Sequence, residues 1–278
     1  MEKKTETIKT GLTFHLFFVK KLESVVEFFK KLLTSNLLEF CNKWLEIIGH
    51  FGIIAAAALG FLFTLVFAIR TNHFDVFLYG IAWVLIIFVA QYTAHKFIPK
   101  GDELIKNNPT QLSSKTFLDC FGFLVLIGGA VMLIVGIVNA IKFRTLNPFF
   151  EGLALFVLME FVALISFNPK EVEIGIEKNN NAGQEAIGIA TFFIKAFIRL
   201  IPIFFGVGIV LGTVLLLISF FSLFGSDLVW ASQKGMLYAQ QILSASLLPF
   251  ISYLIFVFFY LVIDIIRSIL SIPGKLGK

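Results

Sequence analysis

Long apolar stretches, separated by short polar segments, run through most of this sequence. Six of them contain about 20 mostly apolar residues, the length that an α-helix needs to cross roughly 30 Å of hydrocarbon. We therefore predict an all-α membrane protein with about six transmembrane helices in a domain at residues 47–270, after an N-terminal region at 1–46 and before a tail at 271–278. The predicted spans are residues 51–69, 74–94, 117–141, 148–167, 203–224 and 247–270.

Two further apolar stretches are amphipathic and predict helices that lie on the membrane surface. Within residues 14–33, apolar side chains form one helical stripe, and lysines and glutamates take the opposite face. The second stretch, residues 187–201, is followed by Pro202. A single helix over residues 187–224 would be about 57 Å long, so a bend at the proline is predicted. The basic residues predicted to meet anionic headgroups are Lys20, Lys21, Lys30, Lys31, Lys195 and Arg199.

The distribution of Lys and Arg predicts the orientation of the chain. With six spans, 19 of the 23 basic residues fall on the side that holds both chain ends. Cytoplasmic segments of membrane proteins carry this excess of positive charge. Both termini and both surface helices are therefore predicted on the cytoplasmic side of the cell membrane. The same distribution explains the net charge of +5 without nucleic acid as a partner.

The composition agrees with a membrane protein and gives little support to an enzyme. The chain is 58% hydrophobic and 15% charged, whereas about 25% of the residues of a soluble domain are charged. No loop between the spans is long enough for a soluble catalytic domain. Catalytic and nucleotide-binding motifs are absent, and the four His and two Cys lack metal-ligand spacing. No cofactor or metal site is predicted.

Glu160 is the most unusual residue of the predicted spans, because it places a carboxyl group near the middle of the fourth one. A charged side chain there costs about 3 kcal/mol or more unless it faces protein or water. One interpretation is an intramembrane site for a proton or a cation. The other is a protonated side chain that shares hydrogen bonds with neighbouring helices, for example with Thr64, Asn139 or Thr213.

Small residues recur at helical spacing inside three of the spans. Such stripes let helix backbones approach closely in a membrane. They predict packing either within one helix bundle or between copies of the chain. The positions are Gly122, Gly129 and Gly136 in the third span, Gly208 and Gly212 in the fifth, and Ala56 and Gly60 in the first.

Three functions stay open at this point. The leading hypothesis is a non-enzymatic scaffold or accessory subunit that assembles with itself or with other membrane proteins. The second is a transporter or channel that uses Glu160 as its intramembrane polar site. The third, an enzyme acting on a lipid or an embedded cofactor, would need polar groups that converge at one membrane interface.

Overall fold

The computed structural model describes residues 20, 21, 23–31, 33–177 and 182–271. Part of the predicted N-terminal surface helix and nearly all of the predicted tail lie outside these residues.

The described chain is almost entirely helical. Six of its helices, α2 to α7, are long and apolar enough to cross a membrane, so the prediction of a multi-pass membrane protein is confirmed. The elements are α1 (residues 20–31 apart from residue 22), α2 (Ser35–Thr71), α3 (Asp75–Asn107), β1 (Thr110–Leu112), α4 (Lys115–Phe143), α5 (Asn147–Phe167), a 3₁₀ turn (Pro169–Val172), β2 (Ile174–Ile176), α6 (Ala182–Ser222) and α7 (Leu228–Ser271).

The chain divides into two compact units. The first contains the described residues of Met1–Leu38 and Gln111–Asn180, and the second those of Glu39–Thr110 and Asn181–Lys278. The division falls inside α2 and β1, so each unit is built from two separate stretches of sequence.

The first unit is centred on the helical hairpin of α4 and α5. The side chain of Ser114 accepts a hydrogen bond from the amide of Phe117 at 3.0 Å and so caps the first turn of α4. At the same, open end of the hairpin, the side-chain amide of Asn168 donates from Nδ2 to the carbonyls of Leu164 at 2.9 Å and Leu33 at 3.0 Å. Asn168 therefore ties the end of α5 to the segment that precedes α2.

The second unit packs α2, α3, α6 and α7 around an apolar core. Its fully buried members come from each of the four helices, so the core is continuous through the unit. They include Ile53 of α2, Ile87 of α3, Phe205 and Ile209 of α6, and Ile242 of α7.

The helix α6 differs from the prediction, because the stretch 187–201 is not a separate element. Residues 182–222 form one helix with Pro202 inside it. A proline removes one backbone hydrogen bond, but neighbouring groups can satisfy the freed carbonyls in a packed bundle. The carbonyl that Pro202 leaves free is that of Ile198, four residues earlier. The next one, of Arg199, accepts a hydrogen bond from Nδ2 of Asn42 at 3.2 Å.

The helix α7 also differs from the prediction, since it begins at Leu228 and continues through Pro249 to Ser271. Its first half lies beside the predicted spans of α2 and α6: Gly235 faces Phe63, and the carbonyl of Ala231 accepts a hydrogen bond from Ser219 at 2.8 Å. Its second half packs along the end of α3, where Tyr260 donates to the carbonyl of Asn108 at 3.4 Å. The predicted sixth span, chosen for its apolar composition, therefore lies at a different level from the first, second and fifth.

Candidate functional site

Glu160 lies on α5, thirteen residues after Asn147 and seven before Phe167. At 1.5 Å per residue it is about 10 Å from the C-terminal end of the helix, which is also the end of the predicted span, so Glu160 lies off the middle of that span. The side chain is half-buried. No hydrogen bond or ion pair joins Glu160 to any other residue that the structure describes.

Two of the polar residues proposed as hydrogen-bond partners for Glu160 are bonded elsewhere. The hydroxyl of Thr64 donates to the carbonyl of Phe61 at 2.9 Å. The hydroxyl of Thr213 lies 2.7 Å from the carbonyl of Ile209 on its own helix. These bonds are back-bonds within one helix, the usual way for Thr to satisfy its hydroxyl in an apolar surrounding.

The glycine stripe of α4 faces α5 in the first unit. A Cβ on Gly122 would lie 2.7 Å from the ring of Phe167, and one on Gly129 would lie 3.1 Å from Met159. A Cβ on Gly136 would lie 3.0 Å from the Cα of Gly152. Gly136 and Gly152 thus face each other where α4 and α5 pack, and the stripe packs within the chain.

The other small residues also lie against neighbouring helices. A Cβ on Gly208 would lie 2.8 Å from Cβ of Ala245, and one on Gly212 would lie 2.6 Å from the side chain of Ile242. The indole of Trp83 covers Gly60 and donates to the carbonyl of Ala56 at 3.1 Å. Each of these positions is occupied by packing inside the second unit.

The basic residues predicted to meet the membrane surface fall into two groups. Lys20, Lys21 and Lys31 are exposed on α1. Lys30 is partly covered, because its ammonium group lies 2.7 Å from Oδ1 of Asp119 and 5.7 Å from the centre of the Phe167 ring.

Lys195 and Arg199 are placed differently from the prediction. Lys195 is fully buried, and the side chain of Arg199 is only 14% exposed. The guanidinium group of Arg199 binds Oδ1 of Asp102 at 2.9 Å. Both side chains are therefore covered by protein, and for Arg199 the cover includes Asp102 of α3.

The ion pair of Arg199 and Asp102 belongs to a polar cluster that no sequence motif indicated. On α2, the side chains of Asn42, Glu46 and His50 follow one another at intervals of one turn and share a face. Gly49 and Gly206 allow α2 and α6 to approach closely beside this face: a Cβ on Gly49 would lie 3.1 Å from the Cα of Gly206. We call Asn42, Glu46, His50, His95, Asp102 and Arg199 the polar cluster.

The polar cluster is held together across three helices. The rings of His50 and His95 meet edge to face with 5.7 Å between their centres, and Phe205 packs on His50 at 5.1 Å. Glu46 is within range of charge interactions with both His95 and Asp102. All six members come from helix segments just beyond the same ends of the predicted spans, as expected if these segments share one side of the membrane.

Among the buried polar atoms of the cluster, Oδ1 of Asn42, a residue only 8% exposed, and Nε2 of His50 have no hydrogen-bond partner in the described part of the chain. Most buried polar atoms in native proteins have a hydrogen-bond partner, either protein or ordered water. The described residues contain no group of three or more His, Cys, Asp or Glu side chains arranged to hold a metal ion.

Sequence reasoning missed this cluster because its members are scattered. Each segment on its own has the ordinary composition of a polar helix end. The one available signal was the one-turn spacing of Asn42, Glu46 and His50 immediately before an apolar stretch.

The geometry described above is the basis for any functional assignment. Comparisons with protein-family models, with curated proteins and with solved structures find no match for this chain.

Proposed function

We propose that the protein is a non-enzymatic scaffold or accessory subunit of a membrane assembly, and that Glu160 contacts another membrane-embedded chain. The observation that supports this function is the half-buried carboxyl group of Glu160 on an apolar helix, without a partner in the described chain. Leaving such a group in lipid is unfavourable by about 3 kcal/mol or more. A hydrogen-bond donor on a neighbouring chain would remove most of this penalty.

The small residues support the same proposal indirectly. The glycines of α4, α6 and α2 are occupied by packing within the chain. These glycines are therefore not available to pack against a second copy of the chain. A polar contact is the better candidate for assembly.

The test compares Glu160→Leu with Glu160→Gln. Glutamine keeps the hydrogen-bonding capacity and should preserve assembly, whereas leucine should weaken it by roughly 3- to 30-fold, the range of one interhelical hydrogen bond in a membrane. The measurement is the mass of the complex, and the proteins that co-purify, in mild detergent and in lipid nanodiscs. Glu151→Leu, on the exposed N-terminal part of the same helix, is the matched control and should change neither. A wild-type protein that is monomeric and alone would contradict the proposal.

A transporter or channel is the second candidate, because an ionisable group inside a span is also a common ion or proton site. Ion and proton flux into proteoliposomes distinguishes the two functions. We expect no flux from the wild-type protein. Flux that disappears in Glu160→Gln, at unchanged thermal stability, would establish the transporter instead.

We also propose that the chain ends and the polar cluster lie on the cytoplasmic side of the cell membrane, and that the lysines of α1 face anionic headgroups. This follows from the concentration of Lys and Arg on one side of the predicted spans. It is supported by the way that Glu46, Asp102 and Arg199, all assigned to that side, meet in one cluster.

The orientation predicts opposite reactivity for two single cysteines in a background without Cys41 and Cys120. A cysteine at exposed Ser226, between α6 and α7, should react with an impermeant thiol reagent added outside intact cells. One at exposed Asn107, at the end of α3, should react only after the cells are permeabilised. The reverse pattern would invert the orientation.

A further inference from the structure

The most informative feature outside the Glu160 region is the pair of facing histidines in the polar cluster. His50 and His95 are on different helices, and their ring centres are 5.7 Å apart. His50 is half-buried under Phe205 and His95 is exposed. The pair therefore reaches the protein surface through His95, while His50 is held in a packed position.

The charges around the pair leave one carboxylate to balance an imidazolium. The charge of Asp102 is already compensated by Arg199 of α6 at 2.9 Å. Glu46, on the same face of α2 as His50, has no ion pair in the described part of the chain. At this level α7 contributes Tyr253 but no charged side chain. With both histidines neutral, the cluster therefore carries one net negative charge, and a single proton would neutralise it.

A second proton would meet a different situation. Two imidazolium rings with centres 5.7 Å apart repel each other, and one carboxylate cannot compensate both. Groups that interact this strongly take up protons in separate macroscopic steps that belong to the pair. Nε2 of His50 is buried and without a partner in the described chain, and burial disfavours the charged ring, so His50 is the ring that resists the second proton.

We propose that His50 and His95 form a single proton-binding site, in which one proton is held by the pair against the charge of Glu46 and a second is excluded until the solution is more acidic. The ligand is the proton, because the described residues offer no arrangement for a metal ion. The site joins α2, α3 and α6, so its protonation acts on the junction of three helices. It is independent of the contact proposed for Glu160.

The experiment is a pH titration of histidine ring signals by NMR, with isotope-labelled histidine in nanodiscs, from about pH 4.5 to pH 8.5. In the wild-type protein the signals of His50 and His95 should each respond in two steps, separated by about one pH unit. In His95→Gln the signal of His50 should change in one step. Glu46→Gln should move the first step to lower pH, since it removes the compensating carboxylate.

The matched control is His73→Gln, which replaces a histidine with a 72% exposed side chain beside Asp75. It should leave both steps unchanged. Independent single steps for His50 and His95 in the wild-type protein, or no response of His50 at all, would overturn the proposal. The wild-type curve decides this even if a variant fails to fold.

Discussion

Replacing Gly206 by alanine should lower the free energy of unfolding by about 3 kcal/mol, because overpacking against a rigid neighbour has costs of this order. The new Cβ would overlap the carbonyl oxygen of Leu45 and lie 2.7 Å from its carbonyl carbon. These are backbone atoms and cannot rotate away as a side chain can. Helices α2 and α6 would have to separate at the point where they hold the polar cluster. Equilibrium unfolding in lipid or detergent measures the loss.

Gly101→Ala is the matched control for this substitution. It makes the same chemical change in the same unit, also where two helices meet. Its Cβ would lie 3.1 Å from a methyl group of Ile198, which can move by a few tenths of an ångström. The stability should stay within about 1 kcal/mol of the wild type. Equal effects of the two substitutions would mean that α2 and α6 are not in backbone contact at Gly206.

The membrane-spanning character of the chain could be read from the sequence, because lipid permits few alternatives. A stretch such as residues 51–69 has no water to bond its backbone and must be helical. The helix ends could not be read in this way. Hydropathy detects only the apolar part of a helix, whereas α2 begins at Ser35 and α6 at Ala182, where the sequence is amphipathic and tertiary packing maintains the helix.

Pro202, inside α6, shows why a local rule was not sufficient. A bend between a surface helix and a span was expected at this residue, since proline disfavours a helix interior. Within the second unit the surrounding helices make the continuous form favourable. Near Pro202, the carbonyl of Arg199 accepts a hydrogen bond from Asn42 of α2, a residue 157 positions away in sequence and beyond the reach of any local pattern.

Of the candidate functional residues, Glu160 was predictable from the sequence and the polar cluster was not. Glu160 stands out because a single charge in an apolar segment contradicts its surroundings. The polar cluster does not stand out, because residues such as His95 and Asp102 look like ordinary polar residues at the end of a helix. They form a cluster only with Arg199 and His50, which the tertiary fold brings beside them.

Replacing Arg70 by methionine should lower the free energy of unfolding by about 2–4 kcal/mol. Arg70, in the last turn of α2, donates from Nη1 to the carbonyls of Leu223 and of Gly225, the latter at 3.1 Å. These carbonyls follow the end of α6, where the last backbone acceptors have no partner within the helix. A hydrogen bond to a charged group contributes about 1.5–3 kcal/mol, and a positive charge at a helix C-terminus adds up to about 1 kcal/mol.

Methionine keeps the length of the arginine stem and removes the guanidinium group, so the loss reports the cap and not the packing of the stem. Arg70→Lys keeps the charge but not the forked donor, so its free energy of unfolding should lie between those of the wild type and Arg70→Met. Arg144→Met is the matched control: Arg144, exposed like Arg70, caps the end of its helix, α4, but its side chain makes no hydrogen bond or ion pair with any described residue. It should change stability by no more than about 0.5 kcal/mol. Equal changes in the free energy of unfolding for Arg70→Met and Arg144→Met in lipid bicelles would contradict this prediction. They would mean that Arg70 does not stabilise the end of α6.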